Sequence, residues 1–142
     1  MQESFKNKNG PNYYENKLHE IKNLYNSIGE IYCPALRGNV IFNGRGFHHF
    51  KYHGGGEPRT VKEIIHKLDL FPSAVFVIKN ASEVRNYKKV LEPKSMGKNT
   101  RQKEVEYWAI VTNRANHDKI KVILKRIGNG NIMFWSVMNM KK

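Results

Sequence analysis

The residues best suited to chemistry lie in the stretch GFHHFKYHGGGEPR, residues 46–59, which holds His48, His49 and His53, a triple glycine and Arg59. Histidine, with an ordinary pKa near ~6.5, gives and takes protons at neutral pH. Three of them beside a glycine loop point to proton transfer, metal binding or phosphate contact. Metal binding needs more ligands. His49 and His53 stand four apart and would share a helix face, but no acidic residue lies between them and Cys33 is the single cysteine. A zinc site is therefore not expected, nor is any cofactor. Gly54–Gly56 are not followed by Lys-Ser or Lys-Thr, so they form no P-loop and read as a flexible strap. Ser136 has no G-x-S-x-G setting.

Acid–base chemistry on a phosphate ester remains. RNA carries its own nucleophile, the 2′-hydroxyl. Cleavage needs a base near that hydroxyl, an acid near the leaving 5′-oxygen, and cations on the phosphorane. His48, His49, His53, Arg59, Lys125, Arg126 and Ser136 together offer those groups.

The global charge agrees. Among 142 residues, Lys and Arg number 25 against 12 acidic residues, a formal net charge of +13. Such an excess repels itself and implies a polyanionic partner, with nucleic acid first, an acidic protein second and a membrane surface third. Residues 79–103 hold eight Lys or Arg against two Glu. They are expected to form an electrostatic rim for RNA, with Lys88, Lys89, Lys98 and Arg101 as its contacts. No apolar run approaches ~18 residues, and the N-terminal MQESFKNKNG lacks the apolar centre of a signal peptide. A cytoplasmic protein is expected, or one delivered into a target cell.

The elements that must position these groups follow from periodicity. Residues 1–12 read as a disordered tail and 13–142 as a single domain. Tyr14, Leu18, Ile21, Tyr25 and Ile28 recur at helical spacing, with Asn12 and Glu15 as a capping pair and Gly29 as the stop. EIYCPALRGNVIFN predicts two short strands around Arg37-Gly38-Asn39, and GFHHFKYH a short helix with Phe47 and Phe50 inward. Thr60 and Glu63 form a capping box for a helix with Val61, Ile64, Ile65 and Leu68 on its apolar face, stopped by Pro72. SAVFVIKNASEVRNYKK favours helix from Ser73. Residues 92–104 read as an exposed loop. VEYWAIVTN is a strand, and KIKVILKRIGNGNIMFWSVMNM a hairpin with a type I′ turn at Asn129-Gly130. The class is α+β: N-terminal helices and a small hairpin, then a mostly antiparallel C-terminal sheet.

That turn sets a register pairing Lys125 with Phe134, Leu124 with Trp135 and Ile123 with Ser136. Alternation then puts Val122, Leu124, Trp135 and Val137 on the core face. Lys121, Ile123, Lys125, Phe134 and Ser136 fall on the other face, where Lys125 and Ser136 would meet one phosphate and Phe134 would stack on a base.

The helices with GFHHF, the capped helix RTVKEIIHKL and the hairpin KIKVILKRIGNGNIMFWSVM resemble the barnase–EndoU–colicin–RelE group of metal-independent ribonucleases, in its phage and mobile-element members. The likeness covers residues 28–140. It implies an antiparallel sheet with helices on one face and RNA on the other. By that likeness His49 is the helix-borne histidine, Arg59 the cation at the next helix start, Ser136 the sheet hydroxyl, and Lys125 or Arg126 the second cation, with His53 beside the RNA. The resemblance implies an endoribonuclease toxin or effector acting on tRNA, rRNA or mRNA, with an acidic antitoxin or immunity protein as a possible partner. No glutamate of the barnase sort is evident, because Glu57 and Glu63 read as loop and cap, so base and acid stay unassigned. The rival readings are a non-catalytic basic RNA-binding module and a basic mobile-element protein that binds an acidic partner.

Overall fold

The computed structural model describes residues 12–96 and 99–140. The expected tail, apart from Asn12, lies outside them. The fold is α+β. Helix α1, Tyr13–Ile28, leads into the hairpin β1, Glu30–Cys33, and β2, Gly38–Ile41. Helices α2, Gly44–Lys51, and α3, Val61–Lys79, follow, and then the strands β3, Glu83–Met96, β4, Asn99–Val111, β5, Ile120–Ile127, and β6, Ile132–Asn139. One sheet runs in the order β1-β2-β6-β5-β4-β3. Every neighbouring pair is antiparallel except β2 with β6.

Helices α1 and α3 bury their apolar stripes with one face of this sheet. The core joins Ile21 and Tyr25 of α1, Leu68, Phe71, Val77 and Ile78 of α3, and Val40, Ile110, Val122, Leu124, Phe134 and Val137 of the strands. The Thr60–Glu63 capping box forms as expected: the Glu63 N–H donates to Thr60 Oγ1 at 3.1 Å, and the Thr60 N–H to Glu63 Oε1 at 2.8 Å. Val61, expected on the apolar face, is instead 52 % exposed. Asn12 makes no side-chain cap, and only its carbonyl accepts, from the Asn16 N–H at 3.0 Å.

Three larger expectations are corrected. Pro72 lies inside α3 rather than ending it. A mid-helix proline costs about 3 kcal/mol, but the same helix buries Phe71, Ala74, Val77 and Ile78 completely, and a large apolar side chain so buried is worth up to roughly 1.5–3 kcal/mol. The helix expected from Ser73 ends at Lys79, and EVRNYKK is strand β3. Residues 92–104 are no loop: β3 and β4 pair from Glu83↔Val111 to Met96↔Asn99. β5 follows β4 only from Val105 to Ile110, so the far half of this pair projects as a two-stranded arm.

The fourth correction decides the site. The turn is centred on Gly128 and Asn129, with Gly128 at φ 57° and the Gly130 N–H donating to the Ile127 carbonyl at 3.0 Å. Ile123 still pairs with Ser136, but Leu124 pairs with Phe134 and Lys125 with Met133. Trp135 is thus the extra residue of a β-bulge, which re-aims side chains by breaking strict alternation. Phe134 turns into the core at 0 % exposure, while Trp135 leaves it.

Candidate functional site

The site forms where β6 loses its neighbour. The β2–β6 ladder holds only Val40↔Ile132 and Ile41↔Met133. Beyond it, α2 lies against the strand. Asn43 caps α2, its Oδ1 accepting from the Gly46 N–H at 3.1 Å, and the buried Tyr25 hydroxyl donates to the Asn43 carbonyl at 2.7 Å. Gly46 is required for close approach, because a Cβ there would collide with the Phe134 carbonyl and the Tyr25 hydroxyl. Phe47 and Phe50 pack against Tyr25 at 5.2 and 6.3 Å between ring centroids. So anchored, α2 lays His49 flat on Trp135, with centroids 4.3 Å apart and planes at 17°.

The strap after α2 is tied rather than loose. The His53 N–H donates to the Glu57 carbonyl at 2.7 Å, and the Arg59 N–H to the Lys51 carbonyl at 2.8 Å. This holds Arg59 against both histidines. Its Nε donates to the His49 carbonyl at 3.1 Å, Nη2 lies 3.4 Å from His49 Nε2, and Nη1 lies 3.3 Å from His53 Nδ1. Arginine only donates, so it requires the acceptor nitrogen of each ring.

From α3, Lys67 reaches the open edge of β6. Its Nζ donates to Ser136 Oγ at 3.0 Å and to the Val137 carbonyl at 2.9 Å. Lys125 on β5 is 5 % exposed. Its Nζ sits 3.8 Å from the Trp135 ring centroid and 5.3 Å from that of Tyr107, contacts of cation–π type.

Two cavities flank this partition. One, of about 530 Å³, is bordered by His49, Arg59, Lys67, Lys88, Lys121 and Ser136. The other, of about 620 Å³, is bordered by Arg45, His48, Glu92 and Lys125. Tyr107 and Trp135 border both.

The electrostatics are those of crowded cations. Burial, and then Arg59, Lys67 and Lys125, push His49 down to about 4, so its ring is neutral at pH 7. Burial and Arg59 push Lys67 down to about 8, partly countered by Glu63. Burial also lowers Arg59. Of the carboxylates near the site, Glu63 serves the helix cap, and Glu92 accepts from the Tyr107 hydroxyl at 2.7 Å. Among the described residues, no three His, Cys, Asp or Glu side chains converge to hold a metal ion.

The structure therefore brings together His49, Arg59 and Ser136 on one cavity, with Lys125 across Trp135 on the other and His53 and Lys88 at the margin. It does not bring in Phe134, which the bulge sends to the core. Arg126 and Lys89 lie on the opposite sheet face. Arg126 donates from Nη2 to Glu106 Oε1 at 2.6 Å, and Lys89 Nζ lies 3.8 Å from Glu104 Oε1. Register puts Arg101 on the Tyr107 side of the arm, six residues away. Lys98 lies outside the described residues.

Lys67, Tyr107 and Trp135 escaped the sequence reading. Arg59, Glu63 and Lys67 do recur every four residues along the start of α3, a spacing that puts all three on one side. Nothing local marks Trp135, because the bulge that frees it is a property of the paired strands. No family model, curated protein or solved structure matches the chain. No helix among the described residues is long and apolar enough to cross a membrane.

Proposed function

We propose that this protein is a metal-independent endoribonuclease of the barnase–EndoU–colicin–RelE kind, which cuts RNA by attack of the 2′-hydroxyl on the adjacent phosphate. The observation that carries this reading is the meeting of Arg59, Lys67 and Lys125 with a neutral His49, a buried Ser136 and two aromatic rings, around cavities whose cations outnumber their carboxylates. Cations held close together and partly dehydrated want an anion. Two rings beside them suit flanking bases. The reaction needs no external nucleophile.

His49 is the base in this reading. The 3.4 Å contact from Arg59 to its Nε2 is long, so a 2′-hydroxyl can compete for that lone pair. Arg59 and Lys125 hold the phosphorane charge. Ser136, accepting from Lys67, has its own O–H to donate to a phosphate oxygen. As a toxin or effector, the protein would be silenced by an acidic antitoxin whose carboxylates enter the same cleft.

One observation favours a second reading. A histidine pushed down to about 4 is a weak base, as in a module that binds RNA without cutting it. Purified protein incubated with tRNA and rRNA in excess EDTA separates the two. The ribonuclease yields fragments with 2′,3′-cyclic phosphate and 5′-hydroxyl ends. Tight binding without any fragments would refute it in favour of the module.

A further inference from the structure

Two groups are needed to move protons in such a cleavage, and the sequence left the acid unassigned. Lys67 is held in the cleft by two hydrogen bonds from its ammonium group. Two of the three N–H bonds of an ammonium are spent on the edge of β6, at 3.0 Å to Ser136 Oγ and 2.9 Å to the Val137 carbonyl. That leaves the third for whatever occupies the cavity that Lys67 borders. The groups facing it from the packed elements are His49 of α2, Arg59 of the strap, Lys121 of β5, Tyr107 of β4 and Lys88 of β3, with Glu63 one turn before it on α3.

We infer that Lys67 is the general acid of the site, giving its proton to the leaving 5′-oxygen while Ser136 and the Val137 carbonyl aim it. The inference rests on the ribonuclease reading. In the step, the 2′-oxygen bonds to phosphorus as its proton passes to His49. The bond from phosphorus to the 5′-oxygen breaks, its electron pair stays with that oxygen, and a proton from Lys67 Nζ completes the 5′-hydroxyl. Solvent then reprotonates the amine. A lysine pushed down to about 8 is charged at pH 7 and gives its proton up more readily than an ordinary one.

The rival is a purely structural lysine that closes the edge of β6. The test uses one RNA with a normal 5′-oxygen leaving group and a second with sulfur in its place. An alkoxide, whose parent alcohol is about as weak an acid as water at ~15.7, needs a proton to leave. A thiolate, near ~8.5, does not. Lys67→Ala should slow the oxygen substrate by ~10²–10⁴ and the sulfur substrate little, whereas Lys125→Ala should slow both. The wild-type rate on oxygen should fall above about pH 8, and that fall should vanish on sulfur. Lys67→Arg, which keeps the charge and the donors, carries the test if Lys67→Ala unfolds, and it should remain slow on oxygen only. Equal losses on both substrates, or full activity of Lys67→Arg on oxygen, would overturn the acid role and leave the ribonuclease intact. Wild-type protein that cuts neither substrate overturns the ribonuclease reading itself.

Discussion

The edge of β6 and the outer β3–β4 pair are both rich in cations, yet they treat them in opposite ways. At β6, Lys125 is buried under Tyr107 and Trp135, and Lys67 is pushed down to about 8. On the outer pair, Lys88 and Lys89 of β3 and Arg101 of the projecting arm stand exposed, and Lys89 lies near Glu104. Dehydrated charge is held by packing and tuned by its neighbours, as reaction centres require. Solvated charge is cheap to place and serves attraction at a distance. In the ribonuclease we propose, the first would be a site for chemistry and the second a surface for capture.

The largest expected effect tests the bulge that makes this separation. Phe134→Ala should cost about 3–5 kcal/mol, the usual cost of truncating a buried aromatic. Trp135→Ala should leave the fold intact and impair cleavage instead. Thermal melts of both variants check this, and the reverse ranking would show that strict alternation holds after all.

Next come the buried donors. Lys125→Ala and Ser136→Ala should each slow RNA cleavage by about 10²–10³, the usual loss for one transition-state donor. The double variant should lose less than the product of the two, because both act on one phosphate. Full additivity would put them on separate phosphates.

The arm should behave otherwise. Neutralising Arg101 should weaken RNA binding while kcat stays near the parental value. The salt slope should drop by ~0.7 for each single-strand phosphate that no longer meets a cation. Lys89→Ala, on the opposite face, should change neither. A slope that responds to Lys89 and not to Arg101 would place the RNA on the helical side.

The smallest effect is on stability. His49 is held below its ordinary value, so the unfolded chain binds more protons between about pH 4 and ~6.5. Stability then rises with pH through that window and is lost as the solution is acidified from ~6.5. Between about pH 6.5 and 5 the wild type should lose a few degrees of Tm that His49→Asn does not. Equal losses in both would show that burial does not disfavour the charged ring.

Legibility followed the range of the interactions. The capping box of Thr60 and Glu63, the Gly29 stop and the existence of the β1–β2 hairpin are set by neighbours in sequence and could be read as such, although its turn is Pro34–Arg37 and Gly38 and Asn39 belong to β2. The histidine stretch and the cationic excess, on which the proposed chemistry rests, stand in the sequence itself. Pro72 misled because a local rule met a core contact: burying Phe71 and Val77 outweighs one missing hydrogen bond. The arm misled because Glu92, Pro93 and Lys103 lack strand character by themselves, and only their partners across the ladder make them strands.

Sequence by itself determined the α+β class, the capped helix, the aromatic short helix bearing His49 and the cationic excess. These depend on side-chain periodicity and summed charge, which need no coordinates. The tertiary structure alone decided which aromatic of Phe134 and Trp135 faces the cleft, that Lys67 joins Ser136 across sixty-nine positions, and that Arg126 turns away to Glu106. Each is a choice between two faces of a strand, or a meeting of distant segments. A one-residue bulge or the end of a neighbouring strand reverses such a choice with no local trace.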